Sequence, residues 1–300
     1  MKYEDTFGYW PSWESLEFAR GVIYPLPDFL ESKKAVKAVT HSDGCVYPPT
    51  IYQEGEPICG RPAPLHKLPA THVIALRNAS ADKQKTRTGV AGFIIHFLGL
   101  VYGGRHQFGD WWFDGRVRVE DDLEQLMPRR EQVASCIDKA VHEWSSWPVE
   151  QRRSAINVLH LFGRAAVHER ESDRFEAEYL IADSVYALAR DTGKLSISRL
   201  RRDPTPHAKR LNLLCKELGL ARDARHVRSL VALRNPLLHQ ALWDKGTPGT
   251  PRGDTSFYAA YWLHRLSRRA LLSVLGLKGS FLRSPWWMMG VPFFDVTGAG

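Results

Sequence analysis

Cysteine is scarce in this chain, and the four present, Cys45, Cys59, Cys136 and Cys215, are scattered with no two at ligand spacing. That argues against a disulfide framework and a zinc ribbon, and makes a reducing cytoplasm the expected compartment. Long apolar runs are missing as well. The most apolar stretch, Gly89 to Tyr102, covers about 14 residues and carries His96, short of the roughly 20 that a bilayer span needs. It reads as a buried helix, and no membrane partner is expected. No apolar run comes after Met1-Lys2-Tyr3-Glu4-Asp5, so no signal peptide is expected. Acidic residues number 33 against 41 basic ones, leaving a formal charge of +8 and a pI near 9.3. A polyanionic partner is the natural expectation, and 28 of the basic residues are arginine, whose planar fork suits phosphate.

The residues present suffice for packing. Three hundred residues that are 44% hydrophobic predict one large or two ordinary domains. The first 70 residues are punctuated by Pro25, Pro27, Pro48, Pro49, Pro57, Pro62, Pro64 and Pro69, which exclude long helices there. Helical pieces are predicted at Trp13–Arg20 and Phe29–Val39, with irregular or short strand elements between them. A charged break at Asp82–Arg87 precedes the apolar helix, and Gly103-Gly104 stops it. Then comes Arg105-His106-Gln107-Phe108-Gly109-Asp110-Trp111-Trp112-Phe113-Asp114-Gly115-Arg116, dense in rings and charge. Paired tryptophans beside arginines can stack bases and hold phosphates, or can plug a neighbouring core. His106, Asp110 and Asp114 match no metal-ligand spacing, and neither metal nor cofactor is expected. A long helix is predicted from Glu120 to Trp144, with Trp147-Pro148 as the domain boundary.

The second half reads as helices in series: Val149–His168, Phe175–Arg190, His207–Leu218, a fourth around residue 234, and a fifth over Ser256–Leu277. Short connections between such helices favour an antiparallel bundle. The fold class expected is mainly α, with a helical bundle at 148–278, an α+β or irregular domain at 1–147, and an aromatic tail at 279–300. That tail, with Phe281, Trp286, Trp287, Met288, Met289, Phe293 and Phe294, is expected to lie along another part of the protein or to bind a partner. The linker Lys194–Pro206 carries Arg199, Arg201 and Arg202, a solvated loop or an RNA contact.

Within the fourth helix stands Leu233-Arg234-Asn235-Pro236-Leu237-Leu238-His239. Val227, Leu230 and Val231 recur at helical spacing and Leu237, Leu238 and Leu242 continue the stripe, which puts Arg234 on the apolar face. A guanidinium there needs a partner or an anion. Pro236 predicts a kink, or a restart of the helix with Asn235 as N-cap. Arg61 to His66 and Arg202 to His207 share the spacing but not the setting, since one lies in a proline-rich loop and the other precedes Pro204.

The run Arg234, Asn235, then His239 resembles the signature of the HEPN superfamily, small helical-bundle domains of which many are metal-independent endoribonucleases of toxin and anti-phage systems. The likeness covers 149–277. Pro236 departs from many such motifs. The segment Asp-Trp-Trp-Phe-Asp-Gly-Arg after an apolar helix is also similar to uncharacterised bacterial proteins in which it precedes a HEPN-like domain. The resemblance implies a homodimer in which two copies of the motif share one cleft. Arg234 then binds the scissile phosphate, His239 is general base or acid, and Asn235 orients one of them. At five residues apart, Arg234 and His239 lie about 140° apart around a helix, which by itself favours a second copy in the site. Glu178 and Asp183, on the second helix, are candidate partners for Arg234 or plain surface carboxylates. The alternative function is a non-catalytic nucleic-acid-binding or adaptor protein of the same fold. A trigger or restraint acting through the N-terminal domain is an inference from the hazard of a free ribonuclease.

Overall fold

The structure is a computed structural model, and it describes residues 2–10, 12, 14–53, 56–80, 82–119, 130–196, 206–246 and 253–288. The chain divides into two compact units, Met1–Gln125 and Leu126–Gly300. The first is built on a five-stranded antiparallel sheet. In chain order it contains β1 (Lys2–Gly8), β2 (Leu16–Phe18), β3 (Gly21–Pro25), α1 (Phe29–Val39), β4 (Cys45–Val46), β5 (Thr50–Gln53), β6 (Glu56–Pro62), β7 (Leu65–His66) and β8 (His72–Arg77). It ends with α2 (Lys83–Arg87), α3 (Val90–Tyr102), β9 (Gln107–Phe108), β10 (Phe113–Asp114) and β11 (Val117–Arg118). The sheet order is β2-β3-β8-β1-β9, while β10 with β7, β11 with β4 and β5 with β6 make separate two-stranded pairs.

Strand β8 sits between β3 and β1, and five consecutive residues, His72 to Leu76, are buried. A run without alternation marks a strand covered on both faces. Helix α3 is apolar all round and buried from Ala91 to Val101, as its composition requires, and Gly103 ends it in the left-handed region at φ 74°. Two expectations change here. Residues 16–18 form a strand, not a helix, because Leu16 and Phe18 face the core while Glu17 between them is exposed. The segment 105–118 is a clasp for this unit: Phe113 is core, Arg105 pairs with Asp114 at 2.6 Å, and Arg116 pairs with Asp43 at 3.1 Å. Trp112 is exposed beneath the Lys67 ammonium, 4.6 Å from its ring.

The second unit is a helical bundle of α4 (Arg130–Ser145), α5 (Val149–Arg164), a 3-10 turn at Ala165–Val167, α6 (Glu171–Asp191), α7 (His207–Glu217), α8 (Ala224–Gln240), α9 (Asp254–Val274) and α10 (Ser280–Arg283). Helix α6 is central and packs against α5, α7, α8 and most extensively α9. The unit begins ahead of the expected 147/148 boundary because the end of α4 is tied by side chains to α5 and to the turn after α6. Trp144 Nε1 donates to the Arg152 carbonyl at 3.0 Å, and Glu143 holds both Trp147 Nε1 and Lys194. The tail begins with α10 and buries Trp286, whose Nε1 donates to the Ala221 carbonyl at 3.1 Å. Met289, Phe293 and Phe294 lie outside the described residues, as do residues 120–129 of the long helix predicted before α5. No helix among the described residues is long and apolar enough to cross a membrane.

Candidate functional site

Helix α8 opens on Asp223, whose carboxylate accepts the backbone N–H groups of Arg225 and His226 at 2.8 and 3.2 Å. That is a standard N-cap, and it sets the start of the helix well before the motif. The predicted break at Pro236 is absent: α8 runs through it to Gln240. Proline's fixed φ suits a helix, and the carbonyl that loses its donor belongs to Ala232, an exposed residue that water can reach. The buried stripe is also narrower than expected. Val227, Leu230 and Leu233 are core, whereas Leu238 and Leu242 are exposed on either side of His239.

Arg234 is half-buried. Its guanidinium lies over the Tyr179 ring at 5.7 Å, and Nη1 donates to Asn235 Oδ1 at 3.1 Å and sits 3.4 Å from His239 Nε2. The last contact makes Nε2 the acceptor, so this geometry belongs to the neutral imidazole protonated on Nδ1. The 140° offset expected to separate the two side chains is therefore spanned by the arginine's length. All three motif residues meet within one chain.

Neither candidate carboxylate pairs with Arg234 among the described residues. Glu178 is fully buried and takes His264 Nδ1 at 2.8 Å, with His264 stacked on Phe162 at 4.2 Å. It lies one residue before Tyr179 and so projects about 100° away around α6, toward α9. Asp183 is one turn beyond Tyr179 and does reach the motif's neighbourhood. Its Oδ1 lies 3.3 Å from His207 Nδ1 and 3.6 Å from Arg210 Nη1, both on the first turn of α7.

The result is a polar cluster where α6, α7 and α8 meet: Tyr179, Asp183, His207, Arg210, Arg234, Asn235 and His239. Tyr179 stands edge-on to His207 at 5.7 Å. Burial pushes the pKa of His207 down, and Arg234 and Arg210 push the same way against the pull of Asp183. Burial and Asp183 raise the Tyr179 phenol, while Arg234 and Arg210 lower it, for a net rise that keeps it protonated. Three buried atoms of the cluster, Tyr179 Oη, His207 Nδ1 and Arg234 Nε, have no hydrogen-bond partner among the described residues, although Asp183 Oδ1 lies within ion-pair distance of the second. Unsatisfied buried polar groups beside two arginines are ones that a bound anion or an ordered water would complete. Sequence reasoning passes over His207, visible only as the end of the Arg202 spacing, and takes Tyr179 for a core residue. Arg199, Arg201 and Arg202 lie outside the described residues.

The N-terminal trio offers nothing comparable. Asp110 is engaged by Arg87 at 2.8 Å, Asp114 by Arg105, and His106 is buried with its pKa lowered to about 4 by desolvation. Among the described residues no group of three or more histidines, cysteines and carboxylates has the geometry of a metal site. Cys136 and Cys215 are buried free thiols, pushed up to about 12 by burial, and are inert as nucleophiles. Comparison with protein-family models, with curated proteins and with solved structures returns no match for this chain.

Proposed function

We propose that the C-terminal unit is a HEPN-like domain and that the protein is an endoribonuclease, a toxin or anti-phage effector, acting at Arg234, Asn235 and His239. The observation that carries this is the convergence of the three motif residues, with an imidazole nitrogen 3.4 Å from a half-buried guanidinium. RNA brings its own nucleophile. The 2′-oxygen loses its proton, attacks phosphorus, and the bond to the 5′-oxygen breaks as that oxygen is protonated, leaving a 2′,3′-cyclic phosphate and a 5′-hydroxyl. Arg234, with Nη2 free of partners among the described residues, grips the non-bridging oxygens and steadies the charge that builds on them. His239 moves one of the two protons. The excess of arginine supplies the long-range attraction for RNA.

A homodimer is implied by the same resemblance, and the exposed Leu238 and Leu242 flanking His239 give a second copy an apolar surface to cover. Purified protein incubated with labelled RNA in the presence of EDTA is expected to leave 2′,3′-cyclic phosphate ends, and His239→Ala to leave none. Binding without cleavage makes the protein a non-catalytic RNA-binding or adaptor module. Cleavage that survives His239→Ala places the chemistry elsewhere.

A further inference from the structure

Cleavage by 2′-hydroxyl attack requires two proton transfers, one from the nucleophile and one to the leaving oxygen. The motif supplies a single imidazole. The second comes either from another copy of the chain or from elsewhere in the same one. We infer that His207, beside Asp183 at the start of α7, is the general base of the site and His239 its general acid, so that each chain carries a complete acid–base pair around Arg234. The inference rests on the ribonuclease proposal and deepens it.

Three observations carry it. Asp183 Oδ1 is 3.3 Å from His207 Nδ1, off the line of a hydrogen bond but close enough for the carboxylate to attract a proton to Nδ1, which leaves the lone pair on Nε2 to accept one. The groups facing His207 are Asp183 and Tyr179 from α6, Arg210 from its own helix and Arg234 from α8, and burial with the two guanidiniums keeps its imidazole neutral at pH 7. Tyr179 lies between His207 and Arg234 in ring contact with both, and its buried hydroxyl lacks a partner among the described residues. A phosphate between the two helices takes that O–H, the Arg234 donors and the positive end of α7, which begins at His207. His207 then removes the 2′-proton as the 2′-oxygen bonds to phosphorus. His239 takes a proton from water on Nε2 once Arg234 Nη1 turns from it to the phosphate, and delivers that proton to the departing 5′-oxygen. Asp183 is a positioning residue.

The assignment separates from the ribonuclease proposal itself in one set of assays on the full chain. With ordinary RNA, His207→Ala is expected to lower kcat by roughly 10²- to 10⁴-fold while RNA binding holds. Asp183→Asn is expected to lower kcat less and to move the acidic limb of the pH–rate profile, which a merely structural carboxylate leaves in place. RNA with a sulfur in place of the bridging 5′-oxygen releases a thiolate that needs no proton. It is expected to restore His239→Ala and to leave His207→Ala slow. Mixing the His207→Ala and His239→Ala proteins is expected to give no activity, whereas a site shared between copies regains it in the mixed dimer. Circular dichroism on each variant establishes that it is folded. A folded His207→Ala that cuts at the wild-type rate, rescue of that variant by the sulfur substrate, or activity in the mixture overturns the assignment and leaves the ribonuclease proposal standing. Failure of the wild-type chain to cut RNA overturns both.

Discussion

Asp5 shows how a single residue holds the first unit together. Its carboxylate is almost wholly buried and takes Arg87 Nε at 2.5 Å, Arg87 Nη2 at 2.9 Å, the Tyr3 hydroxyl at 2.8 Å, Lys83 Nζ at 3.2 Å and its neighbour's backbone N–H at 3.0 Å. Burial raises its pKa, but the bonds from Arg87, Tyr3 and Lys83 outweigh that and hold it below the ordinary carboxylate range. The contribution is therefore complete above about pH 4 and is lost as pH falls through the lowered value. Removing one side of such a pair strands the other charge, so Arg87→Met is expected to cost about 3 to 5 kcal/mol in urea unfolding at pH 7. The double variant Arg87→Met with Asp5→Asn is expected to recover part of that loss. A cost below about 1 kcal/mol for Arg87→Met would show the pair to be no stronger than a surface contact.

At the level of elements, α8 ends on a non-glycine residue in a conformation glycine prefers. Ala241 has φ 53° and ψ 33°, its N–H bonds the Leu237 carbonyl at 3.1 Å, and Leu242 N–H bonds the Pro236 carbonyl at 3.2 Å. An L side chain there is strained, so Ala241→Gly is expected to raise thermal stability by about 1 kcal/mol without altering the proposed RNA cleavage. A loss of stability would mean that the methyl group packs better than the strain costs. Helical elements are the legible ones. Repeats of 3.6 residues and stop signals place α1 at Phe29–Val39 and α3 and α7 to within about a residue. Strands are not: β8 is buried on both faces and lacks alternation, and β2 is only three residues long. The motif on α8 is visible because an arginine and a histidine at close spacing lie on one helix. Its surroundings are legible only at Asp183, a candidate from the sequence, and not at Tyr179 and His207, since these come from two other helices and no local pattern records which turn of α6 faces which turn of α7. Pro236 misleads for the opposite reason, because local propensity foretells a break that an exposed carbonyl one turn earlier makes unnecessary.

Across the whole molecule the two units differ in how they answer acid. Among its described residues the first buries four histidines, His66, His72, His96 and His106, and burial lowers the pKa of His66, His72 and His106. His72 and His106 fall from the ordinary value of 6.5 to about 4. His72 is locked neutral by its bonds: Nε2 donates to the Ser12 carbonyl at 2.7 Å, and Nδ1 accepts from the Thr71 hydroxyl at 2.9 Å, which itself accepts the Trp10 N–H at 3.0 Å. A histidine whose folded value lies below its unfolded value stays neutral in the native chain while the unfolded chain takes up a proton. Stability is thus intact above about pH 6.5 and declines as pH falls toward 4. At pH 5 the loss is on the order of 2 kcal/mol for each of these two residues, before Asp5 begins to titrate. The helical unit's candidate site holds one such group, His207, which is part-exposed and beside Asp183, so its loss over the same range is smaller. Hydrogen exchange read by mass spectrometry, compared at pH 7 and pH 5 after correction for intrinsic rates, is expected to show protection falling in β1, β8 and α3 while α6 and α9 keep theirs. Equal loss in both units, or loss confined to the helices, would mean that the buried imidazoles of the sheet unit do not govern its acid response.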